Sequence, residues 1–123
     1  MEVDEIKMAF SERDVIGVEC FDFQDLACSI PILRDIDKLN IIPALMMYIL
    51  DNGRSKQMIE NAEMVIFNLM PQPRGWSDLI DSMSKGEISA TLKWLVDVKD
   101  YFFVENCVNE FNLAMELFKD RLA

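Results

Sequence analysis

The chain has 123 residues, 51% of them apolar, and carries 12 basic against 22 acidic side chains with no histidine. That length fits one domain, and so large an apolar share excludes intrinsic disorder. A net charge of −10 opposes phosphate backbones and argues against direct nucleic-acid binding, while the longest apolar run, residues 41–50, is far short of the roughly 20 needed to span a bilayer.

The N-terminus carries Glu2, Asp4 and Glu5 where a secretory signal would be basic, so a cytoplasmic protein is expected. Residues 2–12 read as a short helix with Val3, Ile6 and Phe10 on one side, its early acids complementing the N-terminal dipole. Residues 14–23 are richer in β-branched and aromatic types, and Val18, Cys20, Phe21 and Phe23 partly alternate. No other stretch offers a partner strand. An extended or helical linker packed on a bundle is expected there, with a short strand as the alternative.

Pro31 is tolerated only in a first helical turn, which places a short helix over residues 31–39, capped by Asp22 or Ser29 and burying Ile32 or Leu33 together with Ile36. Asn40 then serves as cap for a second helix over residues 41–51, with Pro43 in its first turn and Gly53 just past its end. Ile42, Leu45, Met46, Ile49 and Leu50 make that helix apolar nearly all round, so it should be central. Ser55 caps the next one, where Met58, Ile59, Ala62, Val65, Ile66 and Leu69 form a broad stripe and Glu60, Asn61, Glu63 and Asn68 lie off it. Pro71 and Pro73 end it. Trp76, Leu79, Ile80 and Met83 define a short helix closed by Gly86.

The most regular stretch follows. Ile88, Leu92, Leu95, Val98 and Phe102 recur at helical spacing, as do Val108, Phe111, Met115, Phe118 and Leu122. With residues 101–106 as the join, these predict a helical hairpin that buries both faces. Met64 with Phe67, and Leu113 with Leu117, fall off the main stripes and imply burial on a second side, inside the bundle or at a subunit contact. Residues 36–51 and 80–97 echo each other once a two-residue gap is allowed, which would make the chain two units of short, medium and long helix. The expected fold is an all-α single domain of five to seven helices, with residues 1–25 as an acidic segment packed on it.

Chemistry is sparse. Without histidine no Ser–His or Cys–His pair exists, and with four glycines there is no phosphate-cradling loop. The oxygens of residues 35–40 lack the glycine and closing glutamate of a calcium loop. Pairs such as Asp97/Asp100 and Glu60/Glu63 read as a solvated face, because nothing near them in sequence would separate their pKa values. Cys20, Cys28 and Cys107 form no Cys-x-x-Cys pair and are expected reduced, with Cys28 and Cys107 buried. No catalytic residue, metal or cofactor is therefore expected.

What remains is recognition. Residues 1–25 hold eight acids (Glu2, Asp4, Glu5, Glu12, Asp14, Glu19, Asp22, Asp25) against Lys7 and Arg13, a footprint for a basic protein surface. Trp76, beside a proline-rich loop, is either a partner anchor or a lid on the core. The composition fits a non-enzymatic inhibitor that masks a basic partner protein. Antitoxins, immunity proteins and phage-encoded inhibitors share that profile, though by composition alone and with no motif. The alternative is a homo-oligomeric assembly subunit or chaperone, of the phage-tail assembly kind, with a homodimer as its simplest form.

Overall fold

In a computed structural model of the chain, residues 2–17, 33–103 and 107–123 are described. They form α1 (Val3–Ala9), α2 (Asp35–Asn52), α3 (Lys56–Leu69), a 3₁₀ turn (Leu79–Ser82), α4 (Lys85–Asp97), α5 (Asp100–Phe103) and α6 (Val108–Leu122). No strand occurs among these residues. The protein is the expected all-α bundle.

The packing order closes on itself. α1 lies against α2 and α4, α2 pairs with α3, α3 packs on α5 and α6, and α6 returns to α4. One apolar core runs through the ring, with Phe10, Leu45, Ile66, Trp94, Phe102 and Phe118 all fully enclosed. Trp94 ties two sides together: its Nε1–H donates to the Met46 carbonyl at 3.2 Å, so the buried indole keeps its one polar bond. Phe102 and Phe111 stack with centroids 4.8 Å apart, which joins α5 to α6.

Local chemistry explains most boundaries. Ser55 accepts from the Met58 N–H and caps α3, and Gly53 turns the chain at a φ of 69° that side chains avoid. Ser84 and Glu87 form a reciprocal capping box at the start of α4. Gly86 therefore lies inside α4 and closes nothing; the expected short helix before it is the 3₁₀ turn, which ends at Ser82.

The largest correction concerns α2. The two helices expected over residues 31–39 and 41–51 are one helix from Asp35 to Asn52, and Asn40 does not cap it. Pro43 sits in its interior, where it lacks an N–H for the Leu39 carbonyl and crowds that turn at a cost of about 3 kcal/mol. Burial of Leu39, Ile42, Leu45, Met46 and Ile49 along the same helix outweighs that loss, at roughly 1.5–3 kcal/mol per side chain. The turn finds another use: the Asn40 carbonyl accepts from the Ile16 N–H at 3.0 Å, and its side chain accepts from the Asp14 N–H at 3.1 Å. In the second half of the chain the corresponding segments stay apart, as the 3₁₀ turn and α4.

Several burial expectations also change. Ile36, expected in the core, is 58% exposed in the first turn of α2. Asn61 and Asn68 are buried because α3 is covered on more than one side, and the Asn68 side chain donates to the Met64 carbonyl. Phe67 and Leu113 remain at the surface. Cys107 is buried as expected, and its thiol is pushed up to about 12 by burial and then by the nearby Glu110 and Glu63 carboxylates. Residues 14–17 follow α1 as irregular chain; the rest of the 14–23 segment, Pro31, Ile32, Cys20 and Cys28 lie outside the described residues, as do residues 104–106 of the expected hairpin join.

Candidate partner-binding face

Three residues dictate how the N-terminal segment sits. Ile6 and Phe10 enter the core from one side of α1, and Arg13 locks the chain that follows. The Arg13 guanidinium meets the Glu87 carboxylate in a two-pronged contact, Nε to Oε2 at 2.8 Å and Nη2 to Oε1 at 2.9 Å, and Nη2 also donates to the Ser82 carbonyl at 2.7 Å. Planar forks of this kind are the geometry arginine is suited to. Glu87 is only 3% exposed, and its Oε1 also accepts from the Ser84 N–H at 2.8 Å. Burial alone would raise the Glu87 pKa; the hydrogen bonds from Arg13 and Ser84 outweigh it and hold the carboxyl below its ordinary value. The Arg13 pKa rises, chiefly through the same hydrogen bond.

With Ile6 and Phe10 inward, helical geometry sends Asp4, Glu5 and Met8 to the opposite side of α1. All three are exposed, and Met8, 78% exposed, is the most open large apolar side chain among the described residues. Glu12 follows in the turn, also exposed. The outer surface is thus a thioether among carboxylates. The register of Met8, two residues after Ile6, is the sequence signal that it faces out. Of these acids Glu5 has a local cation, Lys93 at 3.6 Å, and exposed pairs of this kind contribute little.

Grooves flank α1 on both sides. Toward α4, an open one is lined by Glu5, Leu92, Lys93 and Val96. Toward α2, residues 13–17 and α1 enclose a deeper cleft of about 520 Å³ whose walls include Val3, Phe10, Pro43 and Met47 and whose rim carries Lys7, Asp14 and Asp51.

The residues expected to bind a partner, seven of the N-terminal acids and Trp76, therefore divide. Asp4, Glu5, Glu12 and Asp14 are exposed on or beside α1. Glu19, Asp22 and Asp25 lie outside the described residues. Trp76 belongs to a different place. It closes a turn in which its N–H donates to the Pro73 carbonyl at 3.0 Å and Gly75 takes a φ of 94°. Neighbouring bonds tether that loop: the Gln72 N–H to Asp78, and the Ser77 hydroxyl to Asp35 at 2.9 Å. Trp76 is nevertheless 64% exposed, so it is not a lid on the core.

Among the described residues no group of three or more histidine, cysteine, aspartate or glutamate side chains is arranged to hold a metal ion, and no helix is long and apolar enough to cross a membrane. Comparison of the chain with protein-family models, curated proteins and solved structures finds no match in any of the three.

Proposed function

We propose that this protein is a non-enzymatic binding module whose acidic N-terminal face covers a basic surface on another protein, in the manner of a small cytoplasmic inhibitor. The observation that carries the reading is the inward turn of Arg13. Arg13 is paired with buried Glu87, and Glu2, Asp4, Glu5, Glu12 and Asp14 are exposed with Lys7 as the segment's other cation. Charge arranged this way accelerates encounter with a cationic partner and repels acidic competitors. Affinity capture from source cells, run in parallel with the wild type and a variant in which Asp4, Glu5, Glu12 and Asp14 are all lysine, tests it. A basic protein retained by the first and lost by the second supports the reading; an identical set of captured proteins contradicts it.

A second reading has its own observation. The Ser77–Asp35 hydrogen bond brings their exposed chain neighbours Trp76 and Ile36 to one end of α2, and clustered exposed apolar side chains suit self-association or a client's apolar surface. Trp76→Ala would then abolish concentration-dependent oligomerisation in sedimentation velocity. A wild type that stays monomeric at high concentration rules this reading out.

A further inference from the structure

The cleft between α1 and α2 combines apolar walls with a charged rim. Val3, Phe10, Pro43 and Met47 give it apolar walls, and its volume of about 520 Å³ falls within the range of natural ligand sites. Two carboxylates, Asp14 and Asp51, stand on its rim with Lys7, all three exposed with no side-chain partner among the described residues, while Arg13, which also lines the cleft, is held by the Glu87 carboxylate. Asp51 lies in the last turn of α2, where the carbonyl ends of the helix add further negative potential. An apolar hole with an anionic edge selects a mixed ligand: purely apolar groups gain nothing at the rim, and purely cationic ones gain nothing from the walls.

Resting on the acidic-face reading above, we propose that this cleft is the anchor point of the complex and receives one large apolar side chain of the basic partner, flanked in the partner's sequence by lysine or arginine residues that meet Asp14 and Asp51. A few large side chains buried in well-packed pockets carry most of the affinity of an interface. The acidic outer face then governs encounter, and the cleft governs how long the complex lasts.

Two synthetic peptides test this, equal in length and lysine content and differing only in a central tryptophan or alanine. The protein is labelled with ¹³C at the methionine methyls, because Met47 lines the cleft and Met8 marks the outer face; Met47→Leu and Met8→Leu assign the two signals. The tryptophan peptide is expected to shift the Met47 methyl and to bind about tenfold tighter than the alanine peptide, in line with burial of one large side chain. Asp14→Asn with Asp51→Asn should weaken it several-fold, with the helical circular dichroism unchanged. Equal affinity of both peptides with only the Met8 methyl shifted would overturn the anchor and leave the acidic-face reading standing. Failure of both peptides to bind would overturn the anchor and the acidic-face reading together.

Discussion

Arg13 and Glu87, 74 residues apart in sequence, are held by two hydrogen bonds of 2.8 and 2.9 Å, and the same carboxylate completes the cap of α4. One side chain thus sets where the N-terminal segment lies and where a core helix begins. Coupling between the two should be measurable in urea denaturation. Arg13→Ala is expected to cost roughly 1.5–3 kcal/mol, and a double-mutant cycle with Glu87→Ala should return a coupling of about 1–3 kcal/mol. Arg13→Lys should recover only part of it, because an ammonium cannot fill both prongs. Strictly additive costs would show that the pair contributes no net interaction.

The same pair predicts an acid limb. Glu87 has a depressed pKa in the folded protein, so its contribution is present above the unfolded value near 4.5 and is lost as pH falls through the lower folded value. Stability of the wild type should fall across that window faster than that of Glu87→Gln. Parallel curves for the two proteins between about pH 6 and pH 3 would contradict the assignment.

The two tryptophans report on opposite environments. Trp94 is fully enclosed and hydrogen-bonded, while Trp76 is largely exposed. Trp76→Phe should leave stability within about 0.5 kcal/mol and shift the emission maximum to shorter wavelength. Trp94→Ala should cost about 3–5 kcal/mol and leave a red-shifted, solvent-like emission.

Cys107 should behave as an inert core residue. Its thiol is buried and its pKa raised to about 12, so almost no thiolate exists near neutral pH. In a Cys20→Ser, Cys28→Ser background, a thiol-specific chromophoric reagent should label the protein only as fast as it unfolds. Rapid labelling of the folded protein would place Cys107 in an open environment.

How much of this was legible in the chain depended on distance along it. The helical spacing of buried Ile88 and Leu95 in α4, and of Phe111 and Phe118 in α6, is a local property and could be read directly. So could the Ser55 cap and the stop at Gly53. The stripe expected to run on through Val98 to Phe102 is broken where α4 ends at Asp97, and Phe102 lies in α5 within the expected join. Pro43 misled because a local rule weighs a lost hydrogen bond without knowing how much apolar surface the continuous helix buries. Gly86 misled because it was read without the Ser84 to Glu87 capping spacing around it. Arg13–Glu87 has no local signature at all, whereas the outward orientation of Asp4 and Glu5 follows from the register of Ile6 and Phe10 on α1. The exposure of Trp76 likewise depends on tethers to Asp35 and Asp78 that no periodicity encodes.

The exposed carboxylates of the N-terminal segment are proposed to hold a basic partner. The most direct test is the equilibrium affinity of the captured partner for the wild type and for the variant with lysine at positions 4, 5, 12 and 14, measured at roughly 50 and about 300 mM salt. The reversal is expected to weaken binding by at least about tenfold, and the wild-type affinity to fall steeply between the two salt concentrations. Equal affinities for both proteins, insensitive to salt, would contradict it.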